Sequence, residues 1–479
     1  MNAKELAKKL RLKFPKLKDM ADSDVIETVS KKYPKIKESL TEEKKSKRKF
    51  VLVTKDFSGM GFAIQEIQKN NSEVLIAYKL SDKLEKDEIK EYDQMGKGFV
   101  DKIELDELMQ NRKDYKEFYF LWDGNHNYEE GEILIKEGFK VWGGSKFTYD
   151  LENDREFGVK FAEGCGLVSP PSQEFSSAEE GISCMEQNED KSYVFKPNGN
   201  EDNSLTYCPI NEDPHEGNEE VRQLLEAYSG HEATSSYILQ EMVQGVEVNI
   251  EAFFIKGEPY FAHANFEDKF SHQKDTGEAT GCAFDVDFEI TLYSKLYTET
   301  VGKMEQELRD MEYTGFADAN VIVEDDNFHF IEFCFRMGYN MGVNFFYNLC
   351  NKTCFQTLAD MVDGIQDIKA KSGFGSTMTV FTEKYKTGLP ISFPERYTDK
   401  VFLFDAYKEK DIIKMAGCSH EMLVICEHNY TIKTALKDVV DSATRVVLKN
   451  CYFRRDADET NYKLSPEQRY NGLVAMKLL

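Results

Sequence analysis

The chain has 479 residues, 41% of them hydrophobic and 13% aromatic, and a formal net charge of -25 at pH 7. Such a length implies about two to four domains rather than one core, and the composition excludes broad disorder. The acidic balance argues against a general affinity for nucleic acid or anionic membrane, and no apolar run approaches the roughly 20 residues of a membrane span.

Ten cysteines are scattered, with only Cys350 and Cys354 close together and no Cys-x-x-Cys pair. This usage predicts a reduced, cytoplasmic protein without a zinc site. Residues 1–49 are a basic exception, with sixteen Lys/Arg against eight Asp/Glu. "FPKLKDM" from Phe14 returns as "YPKIKES" from Tyr33 around "DSDVIETVSKK", where Asp22 or Ser23 suits a helix cap. We read residues 1–49 as a short helical appendage ending in the linker "TEEKKSKRK". Docking or linking is the simpler role for its charge, and it is the one segment with any prospect of touching nucleic acid. Such a duplication also has the flavour of a phage-encoded chain, by association only.

From Phe50, "FVLVTKDFSGMGFAIQEIQKNN" predicts a buried strand, a glycine turn and an amphipathic helix, and "EVLIAY" a second strand. This pattern implies a parallel α/β unit over 50–145, continued by "FYFLWDGNHN" and "GFKVWGGSK". Gly59 and Gly61 alone are a weak dinucleotide signal, so a tight strand-to-helix turn is the better reading. Residues 146–375 read as α+β, with strands "SYVFKP", "SYILQEMV" and "EVNIEAFFIKGEPYFAHA", in which "IKGEP" forms a hairpin. "TLYSKLYTETVGKMEQELRDM" reads as one helix, and "ANVIVEDDNFHFIEF" as two further strands. Residues 376–479 form a last, smaller domain with the strand "EMLVICE" and the helix "TIKTALKDVVDSATRVV".

An ATP-driven ligase needs basic groups for the triphosphate, a backbone hinge for adenine, a carboxylate for ribose and oxygen ligands for magnesium. The chain offers these in order: Arg155, Lys196, Glu241, the hinge Met242 and Val243, Glu247, and Glu332 opposite Asn320 and Asp318. In "FHFIEFCFRMGYN" strand alternation puts Glu332, Cys334 and Arg336 on one face.

Over roughly residues 50–470 the chain resembles the ATP-grasp superfamily, and within it phosphoribosylamine-glycine ligase. "EDKFSHQKDTGEATG" resembles the charged loop leading into that family's Asn-Thr-Gly-Gly run, "YTGFADANVIV" its glycine-led strand, and "IEFCFRMG" its Glu-Phe-Asn-x-Arg-Phe-Gly. "MLVICEHNYTIKTALKDVV" and "YFRRD" resemble its carboxy-terminal domain. The resemblance implies an ATP-grasp fold with a Rossmann-like N-terminal domain, and Arg155 and Lys196 on the phosphates. It also implies Met242 and Val243 at adenine beside Glu241, Glu247 on ribose, and magnesium (or manganese) on Glu332 with Asp318 or Asn320. Arg336, Lys269 and His272 would serve catalysis, although a surface-loop role is the simpler one for His272.

Departures from the family set the functional expectation. Cys334 replaces an asparagine ligand with a soft donor, and Glu201 and Asp202 bring negative charge to the loop after Lys196. The turns that would hold phosphoribosylamine read "SGMGFAI" and "DGNHN", and "YNM" replaces Asp-Pro-Glu, so the charges for a sugar phosphate are missing while Arg336 is kept. The expected function is an ATP-dependent carboxylate–amine ligase acting through an acylphosphate, with small-molecule carboxylate and amine substrates and an altered acceptor. The alternatives are phosphoribosylamine-glycine ligase itself and a non-catalytic binding module. A monomer or homodimer is expected.

Overall fold

The structure, a computed structural model, describes residues 25, 29, 47–80, 84–197, 206–209, 213–231, 234–338, 340–383, 386–457, 459 and 464–479. The repeat within 1–49 and the acidic pair Glu201 and Asp202 lie outside these. The chain divides into two compact units, 1–49 and 50–479. No described helix is long and apolar enough to cross a membrane.

The second unit begins with the predicted α/β alternation. Strands β1 (Lys49–Thr54), β2 (Glu73–Tyr78), β3 (Asp101–Glu104), β4 (Phe118–Trp122) and β5 (Lys140–Trp142) form one sheet in the order β3-β2-β1-β4-β5. The β2–β3 and β4–β5 pairs are parallel. Helix α1 (Met60–Asn70) follows β1 and buries Met60, Phe62, Ala63 and Ile64. A glycine is required at its start: a Cβ on Gly59 would stand 2.9 Å from the Asp123 Cβ, while the Gly59 N–H donates to Asp123 Oδ2 at 2.8 Å. This close approach ties the turn after β1 to the turn after β4.

Helix α2 (Lys146–Asn153) is capped by Ser145 and helix α3 (Arg155–Gly164) by Asp154, whose side chains accept from Thr148 N and Phe157 N. A small antiparallel sheet follows, made of β6 (Ser172–Phe175), β7 (Tyr193–Pro197) and β8 (Tyr237–Glu241) in the order β6-β8-β7. It has its own core, in which Phe195, Val221, Leu225 and Tyr237 are fully buried.

The large nine-stranded sheet carries β9 (Val246–Ile255), β10 (Glu258–His272), β11 (Thr276–Ile290), β12 (Gly315–Glu324), β13 (Asn327–Phe333), β14 (Phe374–Thr382), β15 (Val401–Leu403) and β16 (Glu421–Asn429). Their order is β13-β12-β9-β10-β11-β14-β16-β15, with Cys451–Tyr452 pairing to β14. The predicted hairpin is present: Ile255 pairs with Glu258, and Lys256 and Gly257 both have positive φ, at 51° and 76°. That conformation matches the twist of the strands and suits glycine.

Two expectations need correction. The predicted single helix over 291–311 is broken into Lys295–Thr298, the 3₁₀ turn Val301–Met304 and Glu305–Asp310. Thr300 interrupts it, with φ -124° and ψ -103° and its hydroxyl turned back onto the Leu296 and Tyr297 carbonyls. The alternation of "FHFIEFCFR" ends at Phe333, where β13 ends, so Cys334 and Arg336 are not strand residues. The Arg336 N–H instead donates to the Cys334 carbonyl at 2.8 Å in a tight turn.

Candidate active site

Two sets of polar side chains stand out, and the first follows the chain from the small sheet to the large one. Lys196, on β7, donates from Nζ to Gln240 Oε1 on β8 at 2.7 Å. Glu241 ends β8 and is paired with Lys191. The chain then crosses to β9 through Met242 and Val243. The Met242 N–H is already given to the Ser192 carbonyl at 2.8 Å, so Val243 supplies the hinge N–H that has no backbone partner among the described residues. Glu247, on β9, accepts from Asn320 Nδ2 at 3.2 Å. Arg155 opens α3 at its first position; its side chain lies outside the described residues.

Register explains the acidic end of this set. Asn320 on β12 stands opposite Glu332 on β13, and opposite Asn249 on β9. Asn320 is buried with Oδ1 unpaired, whereas the Glu332 side chain is 58% exposed. Together they offer two hard oxygens, one exposed and one buried beside it, a donor set of the kind that suits a magnesium ion. Asp318 lies one step deeper, opposite Glu251 and wholly buried. Neither of its oxygens has a well-formed hydrogen bond, although Asn249 lies beside it, and burial pushes its pKa far up, which favours a neutral carboxyl. Cys334 is half-buried, and burial likewise keeps its thiol protonated. Among the described residues no three His, Cys, Asp or Glu side chains cluster to hold a metal ion. The ligand set that fits is Glu332 with an amide oxygen.

Of the two loop residues singled out in the sequence, Lys269 stands beside Glu332 and His272 beside Tyr452. Lys269 Nζ lies 3.6 Å from Glu332 Oε1, and Glu332, followed by Glu267 and Glu247, raises its pKa. His272 is at the tip of the β10–β11 hairpin, beyond two register shifts, stacked on Tyr452 at 4.7 Å. The hairpin is fastened there by Arg454, which is 1% exposed and donates at 2.8 Å to both Asp275 and Asp456.

The second set lines a cleft of about 480 Å³, open to solvent, formed by Asp56, Ser58, Asp123–His126, Glu152, Asn153 and Arg336. The sheet order places it where β1 neighbours β4 while the chain runs on to β2 on the other side. Ligands enter open α/β sheets at such a reversal, beyond the strand ends. Arg336 donates from Nε to Glu152 Oε1, and Asn125 Nδ2 donates to Glu152 Oε2, both at 2.7 Å. Burial, helped by the nearby Asp56, pushes the Asp123 carboxyl up to about 7. Sequence reasoning flagged the turns here only as departures and missed Asp56, Asp123, His126 and Glu152; the strand order supplies the missing signal. In "YNM", Asn340 and Met341 are buried at the start of a helix, Asn340–Asn344, while Tyr339 lies outside the described residues.

A three-stranded antiparallel sheet, a large antiparallel sheet and a parallel α/β lobe make up the ATP-grasp fold. Within that class, residues 153–340 match the family model described as phosphoribosylglycinamide synthetase, ATP-grasp (A) domain. Solved structures share the fold. Phosphoribosylamine–glycine ligase from Thermotoga maritima is 16% identical, with 85% of this chain and 99% of that one covered and a TM-score of 0.62. Biotin carboxylase from Campylobacter jejuni is 13% identical, with coverages of 85% and 93% and a TM-score of 0.58. The biotin carboxylase domain of the Hydrogenobacter thermophilus 2-oxoglutarate carboxylase, solved with MgADP, is 9% identical, with coverages of 89% and 98% and a TM-score of 0.58. No curated protein matches by sequence.

Proposed function

We propose that this chain is an ATP-dependent carboxylate–amine ligase that releases ADP and phosphate and uses an acceptor other than phosphoribosylamine. Its working lobes are residues 50–145, 146–375 and 376–479. Lys196 and Arg155 serve the phosphates, Val243 N–H and the Met242 carbonyl serve adenine, and Glu247 the ribose. Glu332 and Asn320 hold magnesium, which when bound neutralises phosphate charge. A donor carboxylate oxygen attacks the γ-phosphorus, the bond to the ADP oxygen breaks, and the acylphosphate so formed is taken by an amine. Lys269 compensates charge beside Glu332, and Arg336 orients the acyl donor once it exchanges Glu152 for a ligand oxygen.

The acceptor cleft carries this reading. Arg336, the arginine among its described lining residues, is already paired with Glu152, and Asp56 adds a further carboxylate. A dianionic sugar phosphate entering it would lose hydration and meet like charge, at a cost of several kcal/mol. The test is ADP release with each amino acid as donor, combined with phosphoribosylamine or with other amines. The reading fails if glycine with phosphoribosylamine reaches an ordinary kcat/KM of about 10⁴ M⁻¹s⁻¹ or more.

One observation favours a second reading, a non-catalytic ATP-grasp module. Lys269 stands by Glu332 where a cation would bind, and Cys334 offers a thiol in place of an oxygen. ATP and magnesium that produced no thermal stabilisation would support it.

A further inference from the structure

We propose that His126 is the acceptor-side base of this protein, taking the proton from the amine nitrogen as the carbon–nitrogen bond forms. The inference rests on the ligase reading above and assigns a residue that the reading leaves unused.

His126 follows β4 in the cleft turn and is half-buried, lining the same cavity as Arg336 and Asp123. Its ring meets Tyr149 edge-on at 6.3 Å. Its ring nitrogens have no hydrogen-bond partner among the described residues, in contrast with Asn125 and Glu152 beside it. A cleft imidazole without a structural bond is available to a ligand. Burial lowers its pKa, as do Lys55 and Arg336, against the opposing pull of Asp56 and Glu152. The ring is therefore neutral near pH 7, the state a base requires.

The remaining groups suit the same step. Asp56 presents a carboxylate to an amine and draws it in, and Arg336, proposed above to orient the acyl donor, lines the same cleft. As the amine lone pair attacks the acyl carbon, the attached N–H becomes strongly acidic, so a weak base suffices. The C–N bond forms, the C–O bond to phosphate breaks with its electron pair leaving on the phosphate oxygen, and one nitrogen proton passes to the free nitrogen of His126. The imidazolium returns that proton to the departing phosphate. Atoms and charge balance, and His126 is regenerated.

The experiment compares the wild-type chain with His126→Gln and His126→Asn, using ATP, magnesium and each amino acid as donor. Hydroxylamine is one acceptor; methylamine, ethanolamine and 1,3-diaminopropane are the others. Hydroxylamine is unprotonated near pH 7 and strongly nucleophilic, so hydroxamate formation should stay within about threefold of wild type while transfer to the alkylamines falls about 10²-fold, the usual range for losing a general base. The wild-type alkylamine rate should fall more steeply towards acid pH than protonation of the amine alone requires, and this additional dependence should vanish in both variants. Equal losses with both acceptor types, or an unchanged pH profile, overturn the proposal. Hydroxamate from the wild type with no transfer to any alkylamine also overturns it, by removing the amine from the cleft. Absence of both hydroxamate and ADP from the wild type is a different failure, since it removes the ligase reading itself.

Discussion

Arg336 and Glu152 are locked together across the mouth of the cleft, Nε to Oε1 at 2.7 Å, with 23% and 25% of their side chains exposed. The pair joins the turn after β13 to α2 and holds the guanidinium that an anionic ligand would otherwise take. Glu152→Gln keeps the shape and removes the charge. At this exposure the loss of stability should be small, about 1 kcal/mol or less, whereas ribose 5-phosphate should raise the melting temperature of the variant more than that of the wild type. An equal response in both proteins would show that Glu152 does not hold Arg336 away from anions.

Glu332 and Asn320 oppose each other on β13 and β12. Glu332→Ala removes the exposed carboxylate of the proposed ligand pair, so ADP formation should fall about 10²-fold or more. Cys334→Asn exchanges a protonated thiol for a hard oxygen and should preserve or raise it. Both are read as initial rates of ADP release over a magnesium titration. A Glu332→Ala protein with full activity removes this residue from the metal site.

The hinge gives a test that needs no substrate. Because Met242 N–H is spent on the Ser192 carbonyl, adenine has Val243 N–H to meet. ATP with magnesium at a hundredfold excess over Kd should stabilise the wild type by about 2.7 kcal/mol, and Val243→Pro, which lacks the donor, should lose most of the corresponding thermal shift. A variant that keeps the full shift places adenine elsewhere.

How much of this was visible in the sequence depends on whether local pattern or long-range assembly decides a feature. The strand at Phe50–Thr54, the hairpin at Lys256–Gly257, and Asn320 facing Glu332 are local or single-register matters, and period and turn chemistry predict them. The face shared by Glu332 and Arg336 failed because a strand pattern carries no mark of where pairing ends; β13 stops at Phe333. The broken helix at Thr300 likewise follows from a buried hydroxyl bonded back to the Leu296 and Tyr297 carbonyls. The cleft was missed for a different reason. Asp56, Asp123 and Glu152 are far apart in the chain, and only the reversal of strand order between β1 and β4 gathers them.

The large sheet also buries a group that alternation presents as ordinary strand residues. His263 on β10 is wholly buried between Asp287 on β11, 2.9 Å from Nδ1, and Glu251 on β9, 2.9 Å from Nε2, and it stacks on Phe345 at 4.4 Å. Burial by itself lowers an imidazole pKa, but here Asp287, with help from Glu251, outweighs it and raises His263 to about 10. Burial pushes the Glu251 carboxyl the other way, upward, and its Oε2 has no partner, so the cluster is best described as an imidazolium–carboxylate pair with a neutral second acid. The folded pKa lies above the ordinary value of about 6.5. The stabilisation is therefore complete below about pH 6.5 and is lost as pH rises through about 10. His263→Ala leaves a buried carboxylate without its cation and should cost about 3–5 kcal/mol, the usual penalty for breaking such a pair. Denaturant midpoints measured from pH 6 to pH 10.5 provide the check. The wild type should lose stability along this range, and the gap between it and the variant should close towards the alkaline end. A constant gap would mean that His263 is neutral throughout and acts only through packing.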